Sequence, residues 1–273
     1  MRAMMKIEYS RAFGNKWFAL SLLLGIALAI WQLFESAVSA SQYLFAVSHE
    51  WRGLPHSVFS KIFGLDGWPL SSSIFFFVLP ILAALPFADS FYSDTKSGYI
   101  KNVFIRAPKI HYLTAKALAV FLSAAAVILI PLIVNLLGAM MILPAVMPDP
   151  TTSTFPVASK CIWSGLFYTN PYAYCLLYFL STSVFAGLFA LIAPAISRFL
   201  RARFLVLAAP FVLYFFANTT LGLVGLHIFT PDNFIKPGHG HSLTTPLLLL
   251  IMLGLLIPCV VLFVVKGLKD ETF

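Results

Sequence analysis

The chain has 273 residues, of which 60% are apolar and 10% charged, and its formal net charge at pH 7 is +8. Soluble domains carry about 25% charged residues and disordered chains combine low hydrophobicity with high charge, so disorder and most soluble classes are excluded. Three cysteines are too few for a disulfide framework. The composition is that of a membrane protein.

Six stretches of 18 to 37 residues contain no Asp, Glu, Lys or Arg. A helix needs about 20 apolar residues to cross a bilayer, and lipid offers no partner to unpaired backbone groups. We therefore predict an all-α integral membrane fold, one domain over 1–273 without a nucleotide-binding domain. The predicted spans are 17–35, 73–90, 114–143, 172–196, 203–226 and 246–266. We expect the first to be retained, because its apolar run exceeds that of a signal peptide.

The basic residues are divided unevenly between the predicted loops. Lys and Arg concentrate on the cytoplasmic side of membrane proteins. Here the N-terminal segment, the second and fourth loops and the C-terminal tail hold 14 of the 18 basic residues, and the other loops hold 4. We therefore predict that both termini are cytoplasmic. The net charge then reflects orientation and contact with membrane lipid, and nucleic acid is not an expected partner.

Two segments beside the first span have helical patterns. Within 1–16, Met5, Tyr9 and Phe13 align at helical spacing, which favours a short amphipathic helix on the inner membrane surface; a plain basic flank is the alternative. In the long first outer loop, the aromatic residues favour interfacial helices near 41–49 and 56–64.

The inner loop between spans two and three is the most informative segment. Asp94 and Lys96 bring opposite charges, and aromatic residues surround them. Gly98 suits either the end of a short helix or the close approach of another backbone. These features fit either a short amphipathic helix that docks onto a soluble partner or a charged turn.

This loop resembles that of ABC-2 type transporter permeases, also called type V exporters. In that family an acidic residue is followed by Gly ahead of an apolar stretch, and then by a basic residue, a Tyr and a Lys where span three begins. The length, the six spans, the inside termini and the basic N-terminal helix also fit. The chain departs from the family in its 27 phenylalanines. The matching residues are Asp94, Gly98, Ile100, Arg106, Tyr112 and Lys116.

The resemblance implies the membrane-spanning permease subunit of an ATP-driven ABC exporter in the cytoplasmic membrane of a bacterium. A separate ABC ATPase subunit would bind ATP and Mg²⁺, and the chain would form a homodimer or pair with a related permease. An inner coupling helix between spans two and three would contact the ATPase. The residues implied in this coupling are Phe91, Tyr92, Asp94, Lys96, Gly98 and Ile100.

The chain itself lacks the motifs of an ATPase. No G-x-x-x-x-G-K-[ST] phosphate loop is present, so we expect no ATP hydrolysis by this chain alone. Catalytic and metal motifs are also missing, and His239 and His241 have no evident third ligand. We therefore predict no catalytic residue, bound cofactor or metal. Asn218 and Thr219 are the candidates for a substrate path; the alternative is that they join helices, which polar groups in spans do more often.

Two other functions remain open. The chain fits a non-transport membrane protein, such as an assembly factor, a sensor or a membrane enzyme. A secondary transporter is third, because acidic residues and lysines are missing from the middle of every predicted span. The sequence does not identify a substrate.

Overall fold

The computed structural model describes residues 1–46, 56–67, 69–150, 155–236, 238 and 242–269. These residues form helices and no β-strand, which confirms the predicted all-α fold. In chain order the helices are α1 (Arg2–Phe13), α2 (Lys16–Gln32), α3 (Ser39–Ala46), α4 (Leu70–Ala84), α5 (Ser90–Lys96), α6 (Tyr99–Arg106), α7 (Lys109–Ile142), α8 (Ser164–Thr169), α9 (Pro171–Ile196), α10 (Arg203–Leu223), α11 (Pro231–Ile235), α12 (Thr245–Val260) and α13 (Lys266–Lys269). The π-helical turns Leu33–Val38 and Val261–Val265 make α2 continuous with α3 and α12 continuous with α13.

Five helical stretches among the described residues are long and apolar enough to cross a membrane. Large apolar side chains face outward on several of them, such as Phe216 of α10 and Leu250 of α12, which are 64% and 63% exposed. This is the pattern of a multi-pass membrane protein. The five stretches are Lys16–Gln42, Lys109–Ile142, Pro171–Ile196, Arg203–Leu223 and Thr245–Leu268.

The predicted span at 73–90 is a shorter helix, α4, which ends at Ala84. Its 15 residues rise about 22 Å, less than the hydrocarbon core of about 30 Å. Pro86 has no N–H to donate to the Leu82 carbonyl, and the Ser21 hydroxyl of α2 donates to it instead, at 2.6 Å. The helical hydrogen bonds therefore stop early, for a reason that an apolar pattern does not reveal.

The long helices run in alternating directions between two ends of the bundle. At one end, Asn15 before α2 donates to the Pro86 carbonyl after α4, and the ring of Phe91 in α5 lies 4.9 Å from that of Phe263. We call this the basic end, which comprises α1, α5, α6, residues 197–203 and α13. The described segments 56–67, 143–150, 155–163, 226–236 and 242–244 lie at the opposite end.

At the opposite end, the interfacial helix predicted at 56–64 is wrong. Only a single 3-10 turn forms, Val58–Ser60, and Phe59 and Phe63 are fully buried. The segment is drawn inward because the Asn135 side chain of α7 accepts the Phe63 N–H at 3.0 Å. The helix predicted near 41–49 is present as far as Ala46, and the rest of that range lies outside the described residues.

The start of α4 is stabilised by an acidic side chain from the end of the first long helix. The Glu35 carboxylate accepts the backbone N–H groups of Leu70 and Ser71, both at 3.0 Å. These groups have no partner within α4, because the first turn of a helix leaves its N–H groups unpaired. Glu35 therefore caps α4 and contributes to joining it to the first long helix.

We predict that Gly25→Ala destabilises the bundle by about 1–3 kcal/mol, the usual cost of overpacking. A Cβ at Gly25 would lie 2.7 Å from Cγ of Pro131 in α7, and that ring cannot rotate away. Gly254→Ala in α12 is the matched control, since a Cβ there meets nothing within 4 Å. Thermal unfolding in detergent is the measurement. Equal midpoints for the two variants would contradict close packing of α2 on α7.

Candidate functional site

Four ionisable side chains meet at the basic end and form what we call the ion cluster: Glu8 and Arg11 of α1, Asp94 of α5 and Lys116 of α7. Lys116 Nζ lies 2.6 Å from one oxygen of Glu8 and 2.6 Å from one oxygen of Asp94. Arg11 contacts the other oxygens of the two carboxylates, at 2.9 and 2.6 Å. Two cations therefore face two anions in a closed ring.

The ion cluster is largely shielded from water. The side chains of Glu8 and Lys116 are fully buried, Asp94 is 4% exposed and only Arg11, at 36%, reaches the surface. The Tyr112 hydroxyl donates to Asp94 at 2.7 Å. Because isolated buried charges are very costly, the cluster is stable only when its members are present together.

Helical periodicity explains how the chain brings these groups together. Glu8 and Arg11 are three residues apart on α1, and Tyr112 and Lys116 are four apart on α7, so each pair shares one face of its helix. Fully buried Ala12 shows that the same side of α1 packs against the bundle. The cluster thus fixes where α1 and α5 sit along α7.

Aromatic rings complete the walls of the ion cluster. The guanidinium of Arg11 lies 4.8 Å from the centre of the Tyr99 ring, and Lys116 Nζ lies 4.5 Å from that of Phe87. Such cation–π contacts add to the attraction when the cation is desolvated.

The charges around Asp94 keep it ionised. Burial alone raises the pKa of a carboxyl group, but hydrogen bonds and charges from Arg11 and Lys116, together with the Tyr112 bond, outweigh burial and hold the pKa of Asp94 below its usual range. Its contribution to stability is therefore present at neutral pH and is lost only as the pH falls through this depressed pKa.

The residues predicted for coupling divide into two groups. Phe91, Asp94 and Ile100 are buried and point into the protein. Lys96 is exposed, and the Tyr92 hydroxyl donates to the Arg201 carbonyl. The three bonded partners of Asp94 all lie within the chain. Coupling to an ATPase stays a prediction, and Asp94 enters it as an internal anchor.

Gly98 forms the turn between α5 and α6. Its φ of +73° lies in the left-handed region that favours glycine, and a Cβ there would meet nothing within 4 Å. Glycine is therefore needed for the backbone conformation of this turn and not for close approach within the chain. The neighbouring Ser97, with φ −79°, is exposed at the tip of the same turn.

A second ion pair closes the basic end on its other side. Asp89, in the turn before α5, accepts a hydrogen bond from Arg203 at the start of α10, and only 5% of Asp89 is exposed. Every acidic side chain that the structure describes at this end is thus buried and paired.

The two candidates for a substrate path have structural roles in α10. The Asn218 side chain accepts the Asp232 N–H at 3.2 Å, which caps the short helix α11. Thr219 donates to the Phe215 carbonyl of its own helix at 2.9 Å. A role of either residue in a substrate path stays a prediction.

Sequence reasoning missed Glu8 as a member of the site. Glu8 is the only acidic residue among the first 34, and it stands between Lys6 and Arg11. A lone carboxylate ahead of an apolar helix was the available signal. Its main partner, Lys116, lies more than 100 residues away, and a single sequence does not show such a pairing.

Within the described residues, no group of three or more His, Cys, Asp or Glu side chains is arranged to hold a metal ion. His239 and His241 lie outside these residues. No protein-family model matches the chain, and comparisons with curated proteins and with solved structures find no significant match.

We predict that Lys116→Met costs about 3–5 kcal/mol of stability, because it leaves two buried carboxylates facing one cation. The double variant Glu8→Gln/Lys116→Met removes one charge of each sign and should recover much of that loss. Thermal unfolding of the unaltered chain, of Glu8→Gln, of Lys116→Met and of the double variant gives the coupling energy between the two side chains. Lys101→Met, at an exposed position of α6, is the control. Additive effects of the two substitutions would contradict a buried ion pair.

Proposed function

We propose that the chain is the membrane-spanning subunit of an ATP-driven exporter of the ABC-2 (type V) kind, in the cytoplasmic membrane of a bacterium. One observation carries the proposal: the ion cluster joins α1, α5 and α7 at the basic end. A transporter powered by a separate ATPase needs a firm element that converts a push at the membrane surface into movement of the spanning helices. A flexible, solvated loop would bend under the same force and would not move the spanning helices.

The proposal requires six spans and cytoplasmic termini. Helix α4 supplies the sixth span in this interpretation. The largely buried segment 57–66 fills the depth that its 15 residues do not reach. Non-helical backbone is tolerated at membrane depth when protein covers it. The excess of Lys and Arg at the basic end favours the cytoplasmic side for that end.

The surface offered to the ATPase is the tip of the turn between α5 and α6. Lys96, Ser97 and Lys101 are exposed there, while Phe91 and Ile100 anchor the two helices from inside. The ATPase would bind ATP and Mg²⁺, because this chain has no phosphate loop. The second membrane subunit would be another copy or a related permease.

Copurification tests the proposed partner. The tagged chain, extracted from its native membrane in mild detergent, should retain a polypeptide with a Walker A motif. Ser97→Trp places a bulky ring at the tip of the turn without backbone strain, since φ at Ser97 is negative, and should reduce recovery of that polypeptide severalfold. Ser159→Trp, at an exposed position of the opposite end, is the matched control and should leave recovery unchanged.

Recovery of no such ATPase with the unaltered chain would overturn the proposal and favour a non-transport membrane protein. Equal recovery with Ser97→Trp and Ser159→Trp would exclude docking at this turn.

Thiol labelling in intact cells tests the orientation. Met147→Cys, at a position that is 54% exposed at the opposite end, should react with a membrane-impermeant maleimide. Lys101→Cys at the basic end should react only after permeabilisation. The three native cysteines are buried and should give little background. The reverse labelling pattern would show that the basic end faces outward.

A further inference from the structure

A cavity of about 220 Å³ opens at the basic end between α5 and the turn that joins α9 to α10. Three of its lining side chains are cationic, Lys96, Arg198 and Arg201, and none is acidic. Lys96 and Arg201 are exposed to solvent. We call this space the cationic cavity.

The hydroxyl groups of Thr95 and Ser197 in the cavity are engaged within the chain, so the cationic side chains would recognise a ligand. The hydroxyl of Thr95 donates to the Phe91 carbonyl, and that of Ser197 donates to the Pro194 carbonyl. The two hydroxyl groups therefore donate their protons to backbone carbonyls and not to a ligand. A ligand with several negative oxygens, such as a phosphate, matches the exposed cations Lys96 and Arg201 best.

The surroundings of the cavity indicate where that phosphate comes from. Phe199 lies between two lining residues in sequence and Phe204 lies three residues after Arg201, and they are 66% and 76% exposed. Lys266 places its Nζ 5.6 Å from the centre of the Phe199 ring. Cations beside exposed aromatic rings at the end of apolar helices match a lipid interface, where headgroups and acyl chains meet.

We propose that the cationic cavity binds the phosphate of an anionic phospholipid from the adjoining leaflet, with an acyl chain lying against Phe199 and Phe204. The lipid headgroup would join Lys96 of α5 to Arg201 near the start of α10, beside the hydrogen bond from Tyr92 to the Arg201 carbonyl. The inference requires that the apolar helices cross a membrane, and it does not require an ATPase.

Lipid binding to the purified chain, without any partner, tests the site. The chain is placed in phosphatidylcholine nanodiscs with increasing fractions of phosphatidylglycerol, and the thermal unfolding midpoint is followed. The midpoint should rise with phosphatidylglycerol. Each basic residue near a bilayer surface contributes roughly fivefold to the affinity for anionic lipid. Lys96→Gln/Arg201→Gln should therefore weaken the affinity by about 25-fold, and the rise of the midpoint should begin at a correspondingly higher fraction of phosphatidylglycerol.

The control pair is Lys101→Gln/Arg106→Gln, which removes the same charge from exposed positions at the same end but outside the cavity. It should respond like the unaltered chain. The conservative pair Lys96→Arg/Arg201→Lys keeps the charge and should also respond. Should the glutamine pair fail to fold, native mass spectrometry of the conservative and control pairs with added phosphatidylglycerol gives the number of bound lipids, expected to match that of the unaltered chain.

Three outcomes would overturn the proposal. Equal losses in the cavity pair and the control pair would show general surface attraction. A full response to millimolar inorganic phosphate in phosphatidylcholine alone would identify a site for a free anion. The third is that native mass spectrometry detects no phosphatidylglycerol on the unaltered chain.

Discussion

Three buried charges and one partly exposed arginine neutralise one another and hold the basic end together. Removing any one of Glu8, Arg11, Asp94 or Lys116 leaves an unbalanced charge in a site shielded from water, so the cost is larger than that of one lost contact. The members come from three helices that are distant in sequence. Movement of α1 or α5 away from α7 would separate opposite charges at low dielectric, and the three helices therefore favour moving as one unit.

The opposite end is held by a second polar network on the same helix, made of two amides and one carboxylate. Asn135 of α7 donates to the side-chain oxygen of Gln32 at 2.5 Å, and Gln32 donates to the carboxylate of Asp66 at 2.6 Å. Asn135 is 19 residues beyond Lys116, which is about 28 Å along a helix. That distance matches the hydrocarbon thickness of a bilayer. The polar attachments of α7 thus lie at the two edges of an apolar layer, where α2, α4 and α9 pack against it.

The charge-free stretches predicted the positions of five long helices, because the need to pair backbone groups in lipid acts locally. The bounds were less exact: the first helix continues to Gln42, beyond its predicted end at 35, and α7 begins at Lys109, before its predicted start at 114. Predictions failed where a distant side chain decides the outcome. Ser21 satisfies the carbonyl that Pro86 leaves open, and Asn135 draws the segment near Phe63 inward. In the site, Asp94 was identified as important, but its inward orientation depends on Arg11, 83 residues away. A single sequence does not show that Arg11 and Asp94 contact each other in the fold.

The inward orientation of Asp94 also changes how the proposed coupling would work. Phe91 and Asp94 anchor α5 before the turn at Gly98, and Ile100 anchors α6 after it. With anchors on both sides, a force applied to the tip of the turn reaches α7 through the ion cluster instead of bending a loose loop. At the tip, only Gly98 is required by the backbone conformation. The exposed residues beside it can therefore be of any type that fits the partner. In the proposed exporter, the interior of the loop therefore transmits the motion and its surface selects the partner.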